Sequence, residues 1–167
     1  VNFLRSVGAK EIHIFDEKYA EVDGILSTTS VPPEIDLAIV SPGWRLDHPV
    51  ILELREKGIS VMGEVDLAWK VKSEIAPQQK WIAVTGTNGK TTTVQMTERM
   101  FRESPLKAIA CGNVGLSVIE AVTASENFDV LILELSSFQI AWNSAPHFEA
   151  SAILNISEDH IDWHESF

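Results

Sequence analysis

A short glycine-rich segment with an adjacent lysine and threonine is the strongest chemical signal in the chain. It runs from Gly86 to Thr92 and reads Gly-Thr-Asn-Gly-Lys-Thr-Thr. The two glycines let the backbone curl with its N–H groups pointing inward, and the N-terminus of a following helix adds partial positive charge. Lys90 has the length to reach the β- and γ-phosphates of a nucleotide, and the Thr91 hydroxyl is a suitable Mg²⁺ ligand. The segment therefore predicts a site for nucleotide phosphates.

This segment is a shortened form of the phosphate-binding pattern. The strict pattern has another glycine five residues before the second one, where this chain has Val84. The alternative interpretation is a chance glycine turn before a helix. A predicted strand over Trp81–Thr85 and a predicted helix over Thr91–Phe101 flank the segment, and this order favours the phosphate site.

A single carboxylate lies near the end of the most apolar run in the chain, Val130–Leu135. A glutamate at this position, Glu134, is costly to bury unless it is paired or binds a metal. A Mg²⁺ ion would explain its presence. The alternative is a side chain at the end of a strand that points to solvent.

Carboxylates and imidazoles are concentrated in the ten residues Asn155–His164. They follow a predicted strand over Ser151–Ile156, and such a cluster at a strand end favours function over a structural role. Zinc is the weaker interpretation, because the chain has no cysteine pair to complete a closed ligand set. Asp162 has an alternative role as a helix-start residue.

Two further polar segments carry weaker signals. Ser136 and Ser137 lack the Gly-x-Ser-x-Gly surroundings of a nucleophilic serine, so substrate hydrogen bonding is the better interpretation. A second glycine turn, Gly112–Gly115, follows a predicted strand and is weak when taken alone.

Short β-rich runs alternate with helical stretches along the chain, which predicts a parallel sheet covered by helices. The predicted strands are Ile12–Phe15, Ile35–Val40, Ser60–Met62, Trp81–Thr85, Lys107–Cys111, Val130–Leu135 and Ser151–Ile156. The predicted helices are Pro49–Lys57, Glu64–Ile75, Thr91–Phe101 and Leu116–Ala124. Ligands of such sheets bind at the carboxyl ends of the strands. Four polar segments fall at those ends: Ser41–Gly43, Gly86–Thr92, Glu134–Gln139 and Asn155–His160.

The composition narrows the function classes. The 167 residues carry a formal charge of −11 and no local basic cluster, which argues against nucleic-acid binding. No apolar run is long enough to span a membrane, and no signal-peptide layout is present. The single cysteine, Cys111, excludes an internal disulfide and fits a reducing, cytoplasmic compartment.

These motifs together resemble the Mur ligase family of peptidoglycan synthesis. The resemblance covers essentially the whole chain and rests on Gly86–Thr92, Gly112–Gly115, Glu134–Gln139, Asn155–His164 and Ser41–Gly43 followed by His48 and Pro49. The Ser-Ser-Phe-Gln order within Glu134–Gln139 discriminates better than the phosphate loop, which other ligases share. It is most similar to the branch that adds D-glutamate to UDP-N-acetylmuramoyl-L-alanine.

The resemblance implies an α/β fold. Residues 1–75 would form an incomplete Rossmann-like, UDP-binding domain, 76–80 a linker, and 81–167 part of a P-loop ATPase-type parallel α/β domain. It further implies that the chain is cut at both ends and lacks the C-terminal amino-acid-binding domain. We therefore expect these residues alone to have no ligase activity.

The resemblance also implies a role for each matching residue. The residues expected to bind ATP are Gly86, Thr87, Asn88, Gly89, Lys90, Thr91 and Thr92. The residues expected to contact the nucleotide-sugar substrate are Asp16, Ser41, Pro42, Gly43, Asn113, Ser136 and Gln139. Thr91, Glu134 and His160 would bind Mg²⁺, and Lys90 and His160 would be catalytic. One departure is Trp163, where the family more often has arginine, which puts a charge role at that position in doubt.

The implied activity is ATP-dependent formation of an amide bond through an acyl phosphate. The implied partners are ATP, Mg²⁺, UDP-N-acetylmuramoyl-L-alanine and D-glutamate, with no nucleic acid and no membrane, in a monomeric enzyme. Two alternatives stay open. One is another ligase of this fold, such as a folylpolyglutamate synthase-like enzyme, and the other is a non-catalytic nucleotide-binding paralogue.

Overall fold

The computed structural model describes residues 1–18 and 21–164. The chain divides into two compact units. The first comprises Val1–Ala38 and Pro49–Val61, and the second comprises Ile39–His48 and the chain from Met62 onward. The helix over 64–75 therefore belongs to the second unit, whereas the sequence places it in the first predicted domain. The division at a linker over 76–80 stays a prediction.

The first unit is built from short elements. They are α1 (Asn2–Ser6), β1 (Ile14–Phe15), β2 (Glu21–Val22), β3 (Ile25–Thr28) and α2 (Pro49–Glu56). Strand β3 pairs in parallel with β1 and antiparallel with β2. Helix α2 confirms the helix predicted from Pro49. The sequence did not predict α1, β2 or β3, because elements this short show no hydrophobic period.

The second unit contains a four-stranded sheet with helices between its strands. Its elements are α3 (Glu64–Ile75), β6 (Lys80–Thr85), α4 (Lys90–Phe101), β7 (Ala108–Gly112), α5 (Val118–Val122), β8 (Val130–Glu134), α6 (Ser137–Trp142), β9 (Ala150–Ile153) and α7 (Ile161–His164). The strand order is β7-β8-β6-β9, and every pairing is parallel. A separate two-stranded sheet pairs β4 (Leu37–Val40) with β5 (Ser60–Gly63). The predicted α/β class with parallel sheets is confirmed.

Strand β8 is the centre of this sheet. All five of its residues are buried, and Leu131, Ile132 and Leu133 are fully inaccessible to solvent. Helix α4 packs Val94, also fully buried, against Ile132 and Val84. A strand covered on both faces is expected to be continuously apolar, as the Val-Leu-Ile-Leu run of β8 is. Burial of each such side chain stabilises the fold by up to about 1.5–3 kcal/mol.

The register of the sheet brings the carboxyl ends of three strands together. Glu134 at the end of β8 lies opposite Val84 on β6 and Gly112 on β7. Strand β9 pairs with the other edge of β6, with Thr85 opposite Ile153. The segments that follow these strands are therefore neighbours, as the sequence pattern predicted.

Cys111 on β7 is a core residue. Its side chain is fully buried, and burial raises the pKa of the thiol to about 12. A thiol with so high a pKa is not a nucleophile near neutral pH.

Within the part of the chain that the structure describes, no helix has the length and apolar character needed to cross a membrane.

Replacing Gly112 with alanine should destabilise the second unit. Gly112 has a φ of 98°, and a Cβ there would lie 2.6 Å from the Glu134 carbonyl oxygen. We expect Gly112→Ala to lower the free energy of unfolding by about 2–4 kcal/mol, measured by denaturant unfolding. The matched control is Gly58→Ala, where φ is 74° but no atom lies within 4 Å of the added carbon. It should cost only about 1 kcal/mol, and equal losses at the two positions would contradict the role of the close contact.

Candidate active site

The predicted phosphate loop joins β6 to α4, with glycines where the backbone requires them. Gly86 has a φ of 140°, and a Cβ there would lie 3.0 Å from the Asn155 carbonyl oxygen. Gly89 has a φ of 85° and is the N-cap of α4. The first-turn amides of α4, beginning at Lys90, have no carbonyl partner within the helix and carry partial positive charge. Strand, glycine turn and helix thus occur in the predicted order.

The Lys90 ammonium lies across this loop. Its Nζ donates to the carbonyl oxygens of Gly86 at 2.7 Å and Thr87 at 3.0 Å. A phosphate oxygen bound by the loop would compete with these carbonyls for the ammonium protons, and a charge-assisted bond to phosphate is the stronger of the two. The Lys90 ammonium thus lies at the loop, and its contact with a nucleotide phosphate stays a prediction.

Asn155, after β9, holds the loop from the side. Its Oδ1 accepts from the Asn88 backbone N–H at 2.9 Å, and its Nδ2 donates to the Asn88 carbonyl oxygen at 2.9 Å. The Thr87 N–H donates to the Asn155 carbonyl oxygen at 3.1 Å, and the Ser157 N–H donates to Thr87 Oγ1 at 3.0 Å. The strand predicted over Ser151–Ile156 ends at Ile153, because the chain turns there to contact the loop. No role for Asn155 was predicted from the sequence. The signal that could have found it is its place just after β9, a strand that pairs with β6.

Glu134 is buried beside the loop, with one carboxylate oxygen unpartnered. Only 2% of the residue is exposed. Oε1 accepts from Asn113 Nδ2 at 3.2 Å, whereas Oε2 is buried and has no hydrogen-bond partner among the described residues. The alternative of a solvent-facing strand-end side chain is therefore wrong. An unpartnered carboxylate oxygen in a buried site is costly, and a bound cation removes that cost.

The donor set suits Mg²⁺ bound together with a nucleotide. Within the described residues, no group of three or more His, Cys, Asp or Glu side chains could hold a metal. Mg²⁺ does not require such a group, because it commonly binds one or two protein oxygens, substrate phosphates and water. Glu134 and Thr91, an exposed residue in the first turn of α4, are the protein oxygens that fit this role.

Ser136 and Gln139 form the capping box of α6. The Ser136 N–H donates to Gln139 Oε1 at 2.9 Å, and the Gln139 N–H donates to Ser136 Oγ at 3.2 Å. Gln139 and Pro42 also line one small cavity of about 30 Å³, together with Trp142. The structure thus brings together two residues predicted to contact the substrate, and gives Ser136 and Gln139 a structural task that the sequence analysis did not assign.

Phe138 is the aromatic centre that connects α6 to α7. Its ring centroid lies 4.6 Å from that of His160, 5.0 Å from Trp163 and 5.7 Å from His164. Ser137 Oγ and His164 Nε2 add a hydrogen bond of 2.9 Å. The sequence analysis treated Phe138 only as part of a motif, since its partners follow it by more than twenty residues. His160 has a φ of 53° and directly precedes α7.

Asp16 lies in a different unit from the other predicted site residues. Its backbone N–H donates to the Thr28 carbonyl oxygen at 3.2 Å, and its Oδ1 accepts from the Lys18 N–H at 2.8 Å. Ser41–Gly43 belongs to the second unit, with the phosphate loop and Glu134.

A glycine loop between a strand and a helix, beside a buried carboxylate on the adjacent strand, is the arrangement typical of P-loop domains. A family model described as the Mur ligase middle domain matches residues 84–167. The chain therefore belongs to the Mur ligase family.

Curated relatives extend this comparison. UDP-N-acetylmuramoylalanine--D-glutamate ligase of Thermobifida fusca is 47% identical over 138 residues, covering 81% of this chain and 29% of that protein. The Corynebacterium diphtheriae protein of the same name is 36% identical, covering 98% of this chain and 37% of that protein. The chain thus spans about a third of the length of these relatives.

A solved structure, UDP-N-acetylmuramate:L-alanyl-gamma-D-glutamyl-meso-diaminopimelate ligase of Neisseria meningitides, matches at a TM-score of 0.47 and 16% identity. The match covers 77% of this chain and 43% of that one. This similarity is too low to bear on the assignment.

Removing the Asn155 amide should loosen the phosphate loop. In Asn155→Ala the Asn88 amide loses its acceptor, so we expect its hydrogen exchange to quicken by about three- to tenfold. Asn127→Ala is the matched control, because Asn127 is exposed between α5 and β8. Unchanged exchange at Asn88 in Asn155→Ala would show that the side chain does not hold the loop.

Proposed function

We propose that the full protein is an ATP-dependent ligase that joins D-glutamate to UDP-N-acetylmuramoyl-L-alanine. The observation that carries this proposal is the buried Oε2 of Glu134, which has no hydrogen-bond partner within residues 1–18 and 21–164 and lies beside the glycine loop. The names of the relatives, which match across most of this chain, supply the substrate. The match to the family model supplies the reaction class.

The reaction proceeds in two steps. An oxygen of the substrate carboxylate attacks the γ-phosphorus of ATP, and the bond from that phosphorus to the β–γ bridging oxygen breaks, giving an acyl phosphate and ADP. The amine of D-glutamate then attacks the acyl carbon, inorganic phosphate leaves, and the amine loses a proton as the amide forms. No protein nucleophile is needed in either step.

The first step brings two anions together, so positive charge is its main requirement. Lys90, whose ammonium lies at the loop, would neutralise the β- and γ-phosphates, and the first-turn amides of α4 would add to its effect. Thr91 and Glu134 would hold Mg²⁺, which supplies Lewis-acid stabilisation of the transferred phosphoryl group. His160 would contribute to a second metal position, and Asn113 would orient the substrate while it supports Glu134.

Pro42 and Gln139 lie on the proposed substrate side of the site, where both line one small cavity. They are proposed to contact the nucleotide sugar. Ser41, Gly43 and Ser136 are proposed contacts on the same side, and Asp16 is proposed to contact the uridine end.

The activity should depend on both co-substrates together. We expect the full protein to release phosphate from ATP only when UDP-N-acetylmuramoyl-L-alanine and D-glutamate are both present. Lys90→Ala should lower kcat by about a hundredfold or more, because the charge it removes is needed in the transition state. Phosphate release and product formation by mass spectrometry are the measurements. Lys107→Ala is the matched control, since the Lys107 ammonium pairs with Glu126 on the surface and its loss should leave kcat unchanged.

Other outcomes identify the competing functions. Turnover with a UDP-muramoyl dipeptide and a diamino acid, or with a folate and glutamate, would assign a different ligase of this family. ATP binding without phosphate release in the presence of all co-substrates would assign a non-catalytic paralogue.

Glu134→Gln should weaken the apparent affinity of the enzyme for Mg²⁺. The glutamine preserves the shape of the side chain but removes the negative charge, so the Mg²⁺ concentration for half-maximal rate should rise about tenfold or more. A titration of the rate with Mg²⁺ at saturating ATP measures this. Glu126→Gln removes a charge from an exposed surface pair and should leave the titration unchanged. An unaltered Mg²⁺ requirement in Glu134→Gln would contradict the assigned ligand.

A further inference from the structure

Two tryptophan side chains hold the loop that contains Ser41–Gly43. Trp142 at the end of α6 donates its indole N–H to the Trp44 carbonyl oxygen at 2.9 Å. Trp163 in α7 donates its indole N–H to the Gly43 carbonyl oxygen at 3.0 Å. Two consecutive carbonyls of one loop are thus bound by donors from two different helices, so the loop backbone is fixed at that point.

Arg45 makes the attachment reciprocal. Its Nη1 donates to the Trp163 carbonyl oxygen at 2.8 Å, while its Nε and Nη2 each donate to the Asp47 carboxylate at 2.9 Å. This pairing lowers the pKa of Asp47, chiefly through the side-chain hydrogen bond from Arg45. Trp163 therefore both donates to the loop and accepts from it.

The division of the chain into units agrees with these contacts. Residues 1–38 and 49–61, on either side of the loop in sequence, form one unit. The loop itself, Ile39–His48, belongs to the other unit, which carries α6, α7 and the phosphate loop. The loop therefore belongs to the unit that it contacts, and not to the unit formed by the residues before and after it in sequence.

The same helices carry other candidate site residues. Phe138 of α6 packs against both Trp163 and His160, at centroid distances of 5.0 and 4.6 Å. Gln139, on the turn of α6 next to Phe138, lines the cavity shared with Pro42. A displacement of the Trp163 ring would therefore reach the Ser41–Gly43 loop directly and His160 through a single aromatic contact.

We propose that Trp163 and Trp142 are positioning residues. They hold the Ser41–Gly43 loop against α6 and α7 of the second unit, so that this loop presents its backbone to the nucleotide-sugar substrate. The inference rests on the proposed function for the identity of that substrate. Trp163 is the better residue to substitute. Its bond to Gly43 is exposed, whereas Trp142 is buried, so a change at Trp142 would also disturb the core.

The test is Trp163→Phe in the full protein, which retains a six-membered aromatic ring against Phe138 and removes the indole N–H donor with the smaller ring that carries it. We expect the KM for UDP-N-acetylmuramoyl-L-alanine to rise about three- to tenfold, as for the loss of one hydrogen bond. The KM for ATP and kcat should stay within about twofold of wild type, because the retained ring keeps the packing on Phe138, and through it on His160, and because the phosphate loop does not depend on the Trp163–Gly43 bond. Hydrogen exchange of the amides at 43–48 should quicken in the same variant.

Trp81→Phe is the matched control. Trp81 also donates its indole N–H at 3.0 Å, to Gln79 Oε1, and it is buried at the opposite end of β6 from the phosphate loop. It should lower thermal stability without changing the KM for the nucleotide sugar or exchange at 43–48. Equal rises in that KM for both variants would reduce the effect to general destabilisation and overturn the proposal.

Two further outcomes distinguish a failure of the positioning role from a failure of the proposed ligase activity. Unchanged KM and unchanged exchange in Trp163→Phe, with an active wild-type ligase, would overturn the positioning role alone. If the wild-type protein formed no amide product, the proposed function would fail, and exchange at 43–48 would still decide whether Trp163 holds the loop.

Discussion

Burial of β8 on both faces and along both edges is the constraint on which the second unit depends. Its neighbours β6 and β7 align their ends with Glu134, so a carboxylate is held at the edge of a dry core. The apolar residues that precede it stabilise the sheet enough to retain this unfavourable group. One consequence is a buried oxygen that has no hydrogen-bond partner among the described residues, near the glycine loop. The proposed cation and phosphate sites therefore both depend on a single strand register.

The phosphate loop is held against the segment after β9 by a backbone contact that leaves no space for a side chain. Gly86 approaches Asn155 so closely that an added carbon would lie 3.0 Å from the Asn155 carbonyl oxygen. Asn155 contributes two hydrogen bonds to Asn88 that mimic the pairing of adjacent strands. The loop is thereby ordered before any ligand binds, which reduces the entropy lost on binding.

Aromatic side chains organise the other side of the site. Phe138 contacts three rings from α7 and the residue before it, while Trp142 and Trp163 bind the carbonyls of the 41–48 loop. Indole rings suit this role because one side chain provides both apolar packing and a hydrogen-bond donor. Trp163 supplies an indole donor to this loop, and Arg45 brings a guanidinium to the Trp163 carbonyl oxygen.

The sequence by itself determined the features that depend on residues close to one another along the chain. The order of strand, glycine turn, lysine and helix at Gly86–Thr92, the bounds of α3, and the apolar run of β8 are all local patterns, and each was predicted. The tertiary structure alone decided the contacts between distant segments. Asn155 and Asn88 are 67 residues apart, and Trp163 and Gly43 are 120 apart. No periodicity encodes such pairs, because strand order and helix packing bring them together, and those depend on the burial of the whole core.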